Sequence, residues 1–254
     1  MNIETSLDGF LDNSFKVIQP ANGAHRSGLD ALLVAATIPQ EAKGHVADFG
    51  AGCGVAGMAV AQRCDSLTVD LIEIDKSQVE LATRSLALPE NRHLAPSINV
   101  IEADLMISGE ARSAAGLIEN SYDFIIANPP YNTNARQTSP NSNRARAHAM
   151  EQGMFGAWLK TAAALAKPKA TIAVIMRPET LGEALSSMAG RFGSVQVLPI
   201  HPKQHDAANR VILLGKQGGK APLQLLPALV VHQRDGSFTP KAEAIFRGHE
   251  GLFA

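Results

Sequence analysis

Two short stretches of this chain carry residue types that can bind a polar ligand and act on it. Asn128-Pro129-Pro130-Tyr131 gathers a side-chain amide oxygen, a carbonyl aimed by proline geometry and an aromatic ring within four residues. Asn-Pro and Pro-Pro also punctuate ordinary turns. Here, however, they close the apolar run Asp123-Phe124-Ile125-Ile126-Ala127, which predicts a strand. The second stretch is Val46-Ala47-Asp48-Phe49-Gly50-Ala51-Gly52-Cys53-Gly54, a buried strand entering a glycine-rich turn that opens a helix. Glycine admits backbone torsions barred to other residues and lets a ligand approach the main chain. Gly52, Gly54 and Gly57 satisfy the dinucleotide pattern GxGxxG, a weak sign alone. Asp48-x-Gly50-x-Gly52-x-Gly54 offers a second reading, with the acid ahead of the glycines. Glu73 follows Gly54 by about the twenty residues expected of an acid that accepts from ribose hydroxyls. Asp75 competes with it but is better placed to cap the next helix.

The elements that must position these groups read as alternating strands and helices, the pattern of a parallel sheet covered by helices. Strands are predicted at His45–Phe49, Thr68–Ile74, Ile98–Glu102, Asp123–Ala127, Ala170–Met176, Val195–Ile200 and Arg210–Leu214. Helices are predicted at Gly28–Ile38, Val55–Arg63, Lys76–Leu86, Gln152–Leu165, Pro178–Met188 and Pro240–Phe246. The segment Asn132–Ala149 is rich in Asn, Ser and Arg, lacks apolar periodicity and reads as a long loop, a length usually functional or disordered. Residues 1–44 are expected to form an N-terminal segment packed on a core of 45–216. Residues 217–254, marked by Gly218-Gly219, Pro222 and Pro227, form an appendage of the same domain.

Composition narrows the setting. The 254 residues suffice to bury a full core, and 45% hydrophobic with 19% charged residues is ordinary for a globular chain. A net charge of −1 advertises no nucleic acid, so any RNA site would be a local patch. Cys53 and Cys64 form neither a CxxC pair nor a metal-ligand spacing, and no metal is expected. Glu4, Asp8 and Asp12 do not suit a secretory signal, and no apolar run approaches the roughly 20 residues that span a bilayer. A cytoplasmic protein without a membrane partner is expected; its oligomeric state is not legible.

The run Asp48–Gly54 resembles the first motif of Rossmann-like methyltransferases, and Asn128–Tyr131 resembles the NPPY motif of amino-group methyltransferases. The resemblance implies a class I α/β fold: a mostly parallel seven-stranded sheet flanked by helices, with short N- and C-terminal appendages. It implies S-adenosylmethionine as cofactor, with Asp48 near its positively charged methionine part. Gly50, Gly52, Gly54 and Glu73 would bind it too, with Asp104 near its adenine and Asn128 at the junction with substrate. Asn128, Pro129, Pro130 and Tyr131 would form the catalytic group. An adenine amino nitrogen is a poor nucleophile because its lone pair is delocalised into the ring. Acceptors at the Asn128 side chain and the Pro129 carbonyl would draw its hydrogens toward a tetrahedral arrangement, so that positioning supplies much of the acceleration. Tyr131 would stack on a flipped-out base, a contact of about 1–3 kcal/mol.

From about Leu11 to Gly248 the chain resembles the bacterial tRNA(Val) adenine-N6 methyltransferase family, which acts on the adenine immediately 3' of the anticodon. The likeness includes Ala24–Leu33 with its Gly-x-Asp helix start, Asn209-Arg210-Val211, Ala221-Pro222-Leu223 and Phe238–Ile245. It implies tRNA as partner. The acid-free loop Asn132–Ala149 departs from the best-known members, and its Arg136, Arg144 and Arg146, with Arg26, are candidates for phosphate contact. Lys16, Lys203, His205 and Arg210 are secondary candidates. Ribosomal RNA is an alternative substrate. A protein glutamine amide is another, although only about 45 residues precede Val46, too few for the helical N-terminal domain of such enzymes. A non-catalytic nucleotide-binding subunit is the alternative of a different class, against which the intact motifs argue.

Overall fold

A computed structural model describes residues 4–21, 28–129 and 154–253. The order of elements is β1 (Thr5–Phe10), β2 (Phe15–Pro20), α1 (Leu29–Ala35), β3 (Gly44–Phe49), α2 (Val55–Arg63), β4 (Leu67–Glu73), α3 (Lys76–Leu86), β5 (Ile98–Glu102), α4 (Gly109–Ala114), β6 (Tyr122–Ala127), α5 (Met154–Leu165), β7 (Ala166–Met176), α6 (Leu181–Met188), β8 (Phe192–Lys203), β9 (Arg210–Gln217), β10 (Gln224–Leu225), β11 (Leu229–His232) and α7 (Pro240–Phe246).

All seven predicted strands pair into one sheet in the order β8-β9-β7-β6-β3-β4-β5, with β9 alone antiparallel to its neighbours. Two short strands of the C-terminal segment, β10 and β11, add to β8 and bring the sheet to nine. Strands buried on both faces explain the near-continuous apolar runs of β3, β4 and β6. One face packs on α1 and α2 through Val46, Val69, Leu71 and Ile126; the other packs on α5 and α6 through Ala47, Ile72, Ile125 and Ile172. Burying one such branched side chain contributes roughly 1.5–3 kcal/mol, so each strand is held by several contributions of that size.

Helix α2 lies unusually close to β4. A Cβ on Gly57 would stand 2.2 Å from Leu71 Cδ2, and one on Gly54, whose φ is +91°, would stand 2.7 Å from Leu71 Cδ1. Gly54 and Gly57 of the pattern are thus accounted for by helix-to-sheet packing, with no pyrophosphate required.

The first twenty residues, for which the sequence offers no strand, contain an antiparallel hairpin, β1 with β2. Its turn carries three consecutive left-handed residues, Leu11, Asp12 and Asn13. Side chains from far along the chain anchor it. Asn91, fully buried, accepts from the Lys16 amide at 3.0 Å and donates to the Lys16 carbonyl at 2.6 Å, while Ser85 Oγ accepts from the Ile18 amide at 2.8 Å. The Cys53 thiol in the glycine turn donates to Gln19 Oε1 at 3.5 Å, so β2 reaches the base of that turn.

At the opposite edge of the sheet a polar network spans four strands. Asp70 accepts from Tyr122 Oη at 2.7 Å and from Asn99 Nδ2 at 2.9 Å, and lies 3.1 Å from His45 Nε2. Burial alone would raise the Asp70 carboxyl, but the hydrogen bonds from His45, Asn99 and Tyr122 outweigh it and hold the group below the usual range. Burial and the same carboxylate push the Tyr122 hydroxyl up.

Among the described residues, no helix is long and apolar enough to cross a membrane. Cys53 and Cys64 are buried free thiols. The helix predicted over Pro178–Met188 divides into a 3-10 turn at Pro178–Thr180 and α6, because proline at the first position supports a tight turn without a backbone donor.

Candidate active site

The sheet order reverses between β3 and β6. From β3 the chain winds outward through β4 and β5, then returns to β6 on the other side. Ligands of open α/β sheets bind outside the carboxyl ends of the strands at such a switch point. The register sets the site. Phe49 pairs with Ile72 and with Ala127, so Gly50, Glu73 and Asn128 emerge level with one another from three adjacent strands.

The turn after β3 is built by backbone bonds. The Gly50 and Ala51 amides both donate to the Ile72 carbonyl, at 2.9 and 3.1 Å. Gly50 and Gly52 sit at φ of +66° and +56°, which favours glycine, and a Cβ on Gly52 would meet only Gln78 Oε1, at 4.0 Å. The turn therefore presents open space over Gly52.

Glu73 pins this turn. Its Oε2 accepts from the Gly52 amide at 2.9 Å, and its Oε1 accepts from the Ile74 and Asp75 amides, both at 2.8 Å. A carboxylate has about four lone-pair sites, so three backbone donors leave Glu73 room for about one more hydrogen bond. The sequence expectation of ribose contact meets a side chain already employed in shaping the loop. Asp75 is the N-cap of α3, accepting from the Ser77 amide at 2.8 Å and from Ser77 Oγ at 2.6 Å, in keeping with its reading as a cap.

Asp48 lies beneath the turn, 1% exposed, and its Oδ2 accepts from the Gly57 amide in the first turn of α2 at 2.8 Å. Burial pushes its carboxyl up to about 7; the Gly57 bond opposes the rise and the Glu73 charge adds to it. A cation brought to this site would return Asp48 to the ionised form. Asp104, half-buried after β5, accepts from the Met106 amide at 2.8 Å and so closes a local turn.

Asn128 is half-buried and Pro129 buried at the end of β6. Pro130, Tyr131, Arg26, Arg136, Arg144 and Arg146 lie outside the described residues. Of the secondary RNA candidates, Lys16 pairs with Glu90 at 2.9 Å beside Asn91, just beyond the end of α3. Arg210 pairs with Asp30 of α1 at 2.7 Å.

Three apolar residues join the site that sequence reasoning passes over. Ile74 and Met106, just past the ends of β4 and β5, are 48% and 47% exposed. Trp158 of α5, the chain's single tryptophan, abuts the turn: a Cβ on Gly50 would stand 2.7 Å from its indole, which meets Phe49 edge-on at 6.4 Å. The exposed Ile74 and Met106 beside Glu73 and Asp104 were findable from the strand-end positions. Trp158 carries no such signal, since it approaches Gly50 only through the packing of α5.

An open glycine turn, an acid at the end of the next strand and apolar side chains beyond it fit a nucleoside bearing a charged amino-acid tail. The fold is that of a Rossmann-like S-adenosylmethionine-dependent methyltransferase. The chain belongs to the methyltransferase small domain family, which matches residues 27–198. Among its relatives, a tRNA1(Val) (adenine(37)-N6)-methyltransferase of Photorhabdus laumondii is 28% identical over 94% of this chain and 93% of its own length. One of the same description from Bacteroides fragilis is 27% identical over 70% of this chain and 71% of its own length. A crystal structure from Agrobacterium tumefaciens, described as a predicted O-methyltransferase, superposes with a TM-score of 0.77 at 31% identity, covering 88% of this chain and 98% of that one.

Proposed function

We propose that this enzyme methylates the exocyclic N6 of an adenine in a tRNA, next to the anticodon. The observation that carries the reading is Asn128-Pro129 at the carboxyl end of β6, level with Gly50 and Glu73 at the switch point. The relatives described as tRNA1(Val) (adenine(37)-N6)-methyltransferases support the substrate.

In this reading Gly50, Gly52, Gly54, Asp48, Glu73 and Asp104 hold the cofactor, and Ile74 and Met106 cover its apolar surface. Bound S-adenosylmethionine supplies an electrophilic methyl group. The Asn128 side-chain oxygen and the Pro129 carbonyl each accept one hydrogen of the amino group, turning the nitrogen lone pair away from conjugation with the ring. Pro130 fixes the backbone that aims them, and Tyr131 stacks on the extruded base. The nitrogen sheds a proton readily once it is cationic, so no strong base is needed. Arg26, Arg136, Arg144 and Arg146 are the candidate phosphate contacts. The Agrobacterium neighbour's description raises oxygen methylation as a competing outcome. A hydroxyl presents one hydrogen and would leave one of the two acceptors unused.

Incubation with total tRNA and isotope-labelled S-adenosylmethionine, followed by nucleoside mass spectrometry, tests the reading. The expected product is N6-methyladenosine. Label on a ribose oxygen, or transfer to ribosomal RNA or a protein amide with none to tRNA, overturns it.

A further inference from the structure

The proposed catalytic group occupies one edge of the sheet; the opposite edge carries a concentration of positive charge that nothing described so far employs. Lys167 and Lys169 open β7, Lys216 lies at the end of β9 with Lys220 just after it, and Arg191 precedes β8. The register brings them together. Thr171 pairs with Lys216, Gly193 pairs with Lys216 and Phe192 pairs with Gln217. Neighbouring strands lie about 4.8 Å apart, so these five cations leave three adjacent strands within a span of roughly 10 Å.

Among the described residues several cations elsewhere have a carboxylate, Lys16 with Glu90, Lys76 with Glu102 and Lys241 with Glu250, while Lys43, Arg84 and Arg92 stand singly without one; this edge differs in gathering its cations on adjacent strand ends. On this edge only Lys167 has one, Asp123 at 2.7 Å, and Asp123 also accepts from the His45 amide. Lys169, Arg191, Lys216 and Lys220 are exposed and make no ion pair among the described residues. Arg191 is held in place by its bond to the Ser187 carbonyl at 3.0 Å. Four like charges left uncompensated so close together repel one another, a cost that a polyanion would remove.

We infer that this edge, formed by Lys169, Arg191, Lys216 and Lys220, is a docking surface for the phosphate backbone of a structured RNA. The inference rests on the proposed tRNA reading and gives it a second point of contact. Lys169 lies in the irregular stretch of β7 opposite Tyr122–Phe124 of β6, about five residues before Asn128, or roughly 17 Å at 3.3 Å per residue. That is about five phosphates along one strand of a duplex. A helical arm can therefore touch this edge while an unpaired base beside it reaches Asn128. Between the two, α5 runs from the catalytic edge toward the charged one, with Lys160 exposed partway along it.

The test is binding of fluorescently labelled tRNA across a salt series, using a variant with Arg191→Gln, Lys216→Gln, Lys220→Gln and Lys169→Asn. Asparagine is chosen because Lys169 has φ +71°, a conformation asparagine tolerates. The variant is expected to bind tRNA at least tenfold more weakly. The slope of log affinity against log salt should flatten by about 0.9 for each duplex phosphate contact removed. A second variant, Lys169→Arg with Lys216→Arg and Lys220→Arg, should retain the wild-type slope. Titration with S-adenosylhomocysteine confirms that both are folded. If the wild-type protein binds and methylates tRNA and the fourfold variant matches its affinity and slope, the surface assignment falls and the tRNA reading stands. If the wild-type protein transfers nothing to tRNA, the reading falls and the assignment with it. Loss of binding to heparin or anionic vesicles with tRNA binding intact would also overturn RNA as the occupant.

Discussion

The Glu73 carboxylate holds the Gly52 amide at 2.9 Å, joining the end of β4 to the turn that leaves β3. Charge-assisted bonds of this kind contribute about 1.5–3 kcal/mol. Glu73→Ala should therefore weaken S-adenosylhomocysteine binding by roughly ten- to a hundredfold in calorimetry. Asp75→Ala removes a helix cap, so it should lower stability by about 1 kcal/mol while leaving that affinity near wild type. The reverse pattern would move the cofactor role to Asp75.

Asp48 should make cofactor affinity depend on pH. Its carboxyl lies at about 7 against the 3.8 of a free aspartate, so between those values the folded protein holds a proton there that the unfolded chain has lost. Stability is favoured below pH 4 and declines as pH rises toward 7. Binding runs the other way: a cationic cofactor favours the carboxylate, so affinity for S-adenosylmethionine should rise as pH climbs through 7. Asp48→Asn keeps an acceptor for the Gly57 amide and should flatten the profile. A profile identical in the two proteins would remove Asp48 from the charge balance of binding.

Trp158 offers a direct optical signal. As the chain's single tryptophan, set against Gly50, it should change its emission as S-adenosylhomocysteine fills the turn, with a midpoint equal to the calorimetric one. Gly50→Ala would force a Cβ to 2.7 Å from the indole at φ +66°, and should lower that affinity at least tenfold. Emission that stays flat through a saturating titration would place the ligand away from the indole.

Asn128→Ala should separate binding from chemistry. Loss of one acceptor aimed at the reacting group typically costs about 10²–10³ in turnover, whereas affinity for S-adenosylhomocysteine should change little. Single-turnover methylation and calorimetry on the same preparation measure both. An equal loss in each would make Asn128 a cofactor ligand first.

The polar network around Asp70 should govern acid stability. Its carboxyl is held below the usual range in the folded state, so its contribution is present above about pH 4 and lost as pH falls below that. Tyr122→Phe leaves the buried Asp70 one donor short and should cost about 1–3 kcal/mol near neutrality. Urea melts at pH 7 and pH 3 should show the difference between variant and wild type shrinking at the lower pH.

The centre of the fold was legible because its strands are buried on both faces and its helices carry their own stops. Helices Val55–Arg63 and Lys76–Leu86 fall where the apolar pattern and Asp75 set them. The N-terminal hairpin was not, because its anchors, Ser85 and Asn91, are about seventy residues away and carry no local sign of β1 or β2. Strand β8 starts earlier than its apolar run because Gly193 and Ser194 form an irregularity, with Ser194 at φ +50°, that breaks the alternation. In the site, Asp48 and Glu73 stood out because their spacing from the glycines is fixed by one strand and one helix. Trp158 did not, since an aromatic residue in a helix reads as core until its neighbours are known. Charge pairing was equally hidden: Asp30 and Arg210 meet across 180 residues.

The register that sets Gly50, Glu73 and Asn128 side by side is fixed by main-chain bonds upstream of all three. No pair in that register involves a residue beyond Ala127. On the proposed reading, the sequence beyond Tyr131 and before α5 can therefore change across an evolving lineage while Asn128 and Pro129 keep their place in the register. If that segment is what meets the acceptor, as the tRNA proposal has it, selectivity becomes a replaceable part, exchanged between descendants without rebuilding the engine it is bolted to.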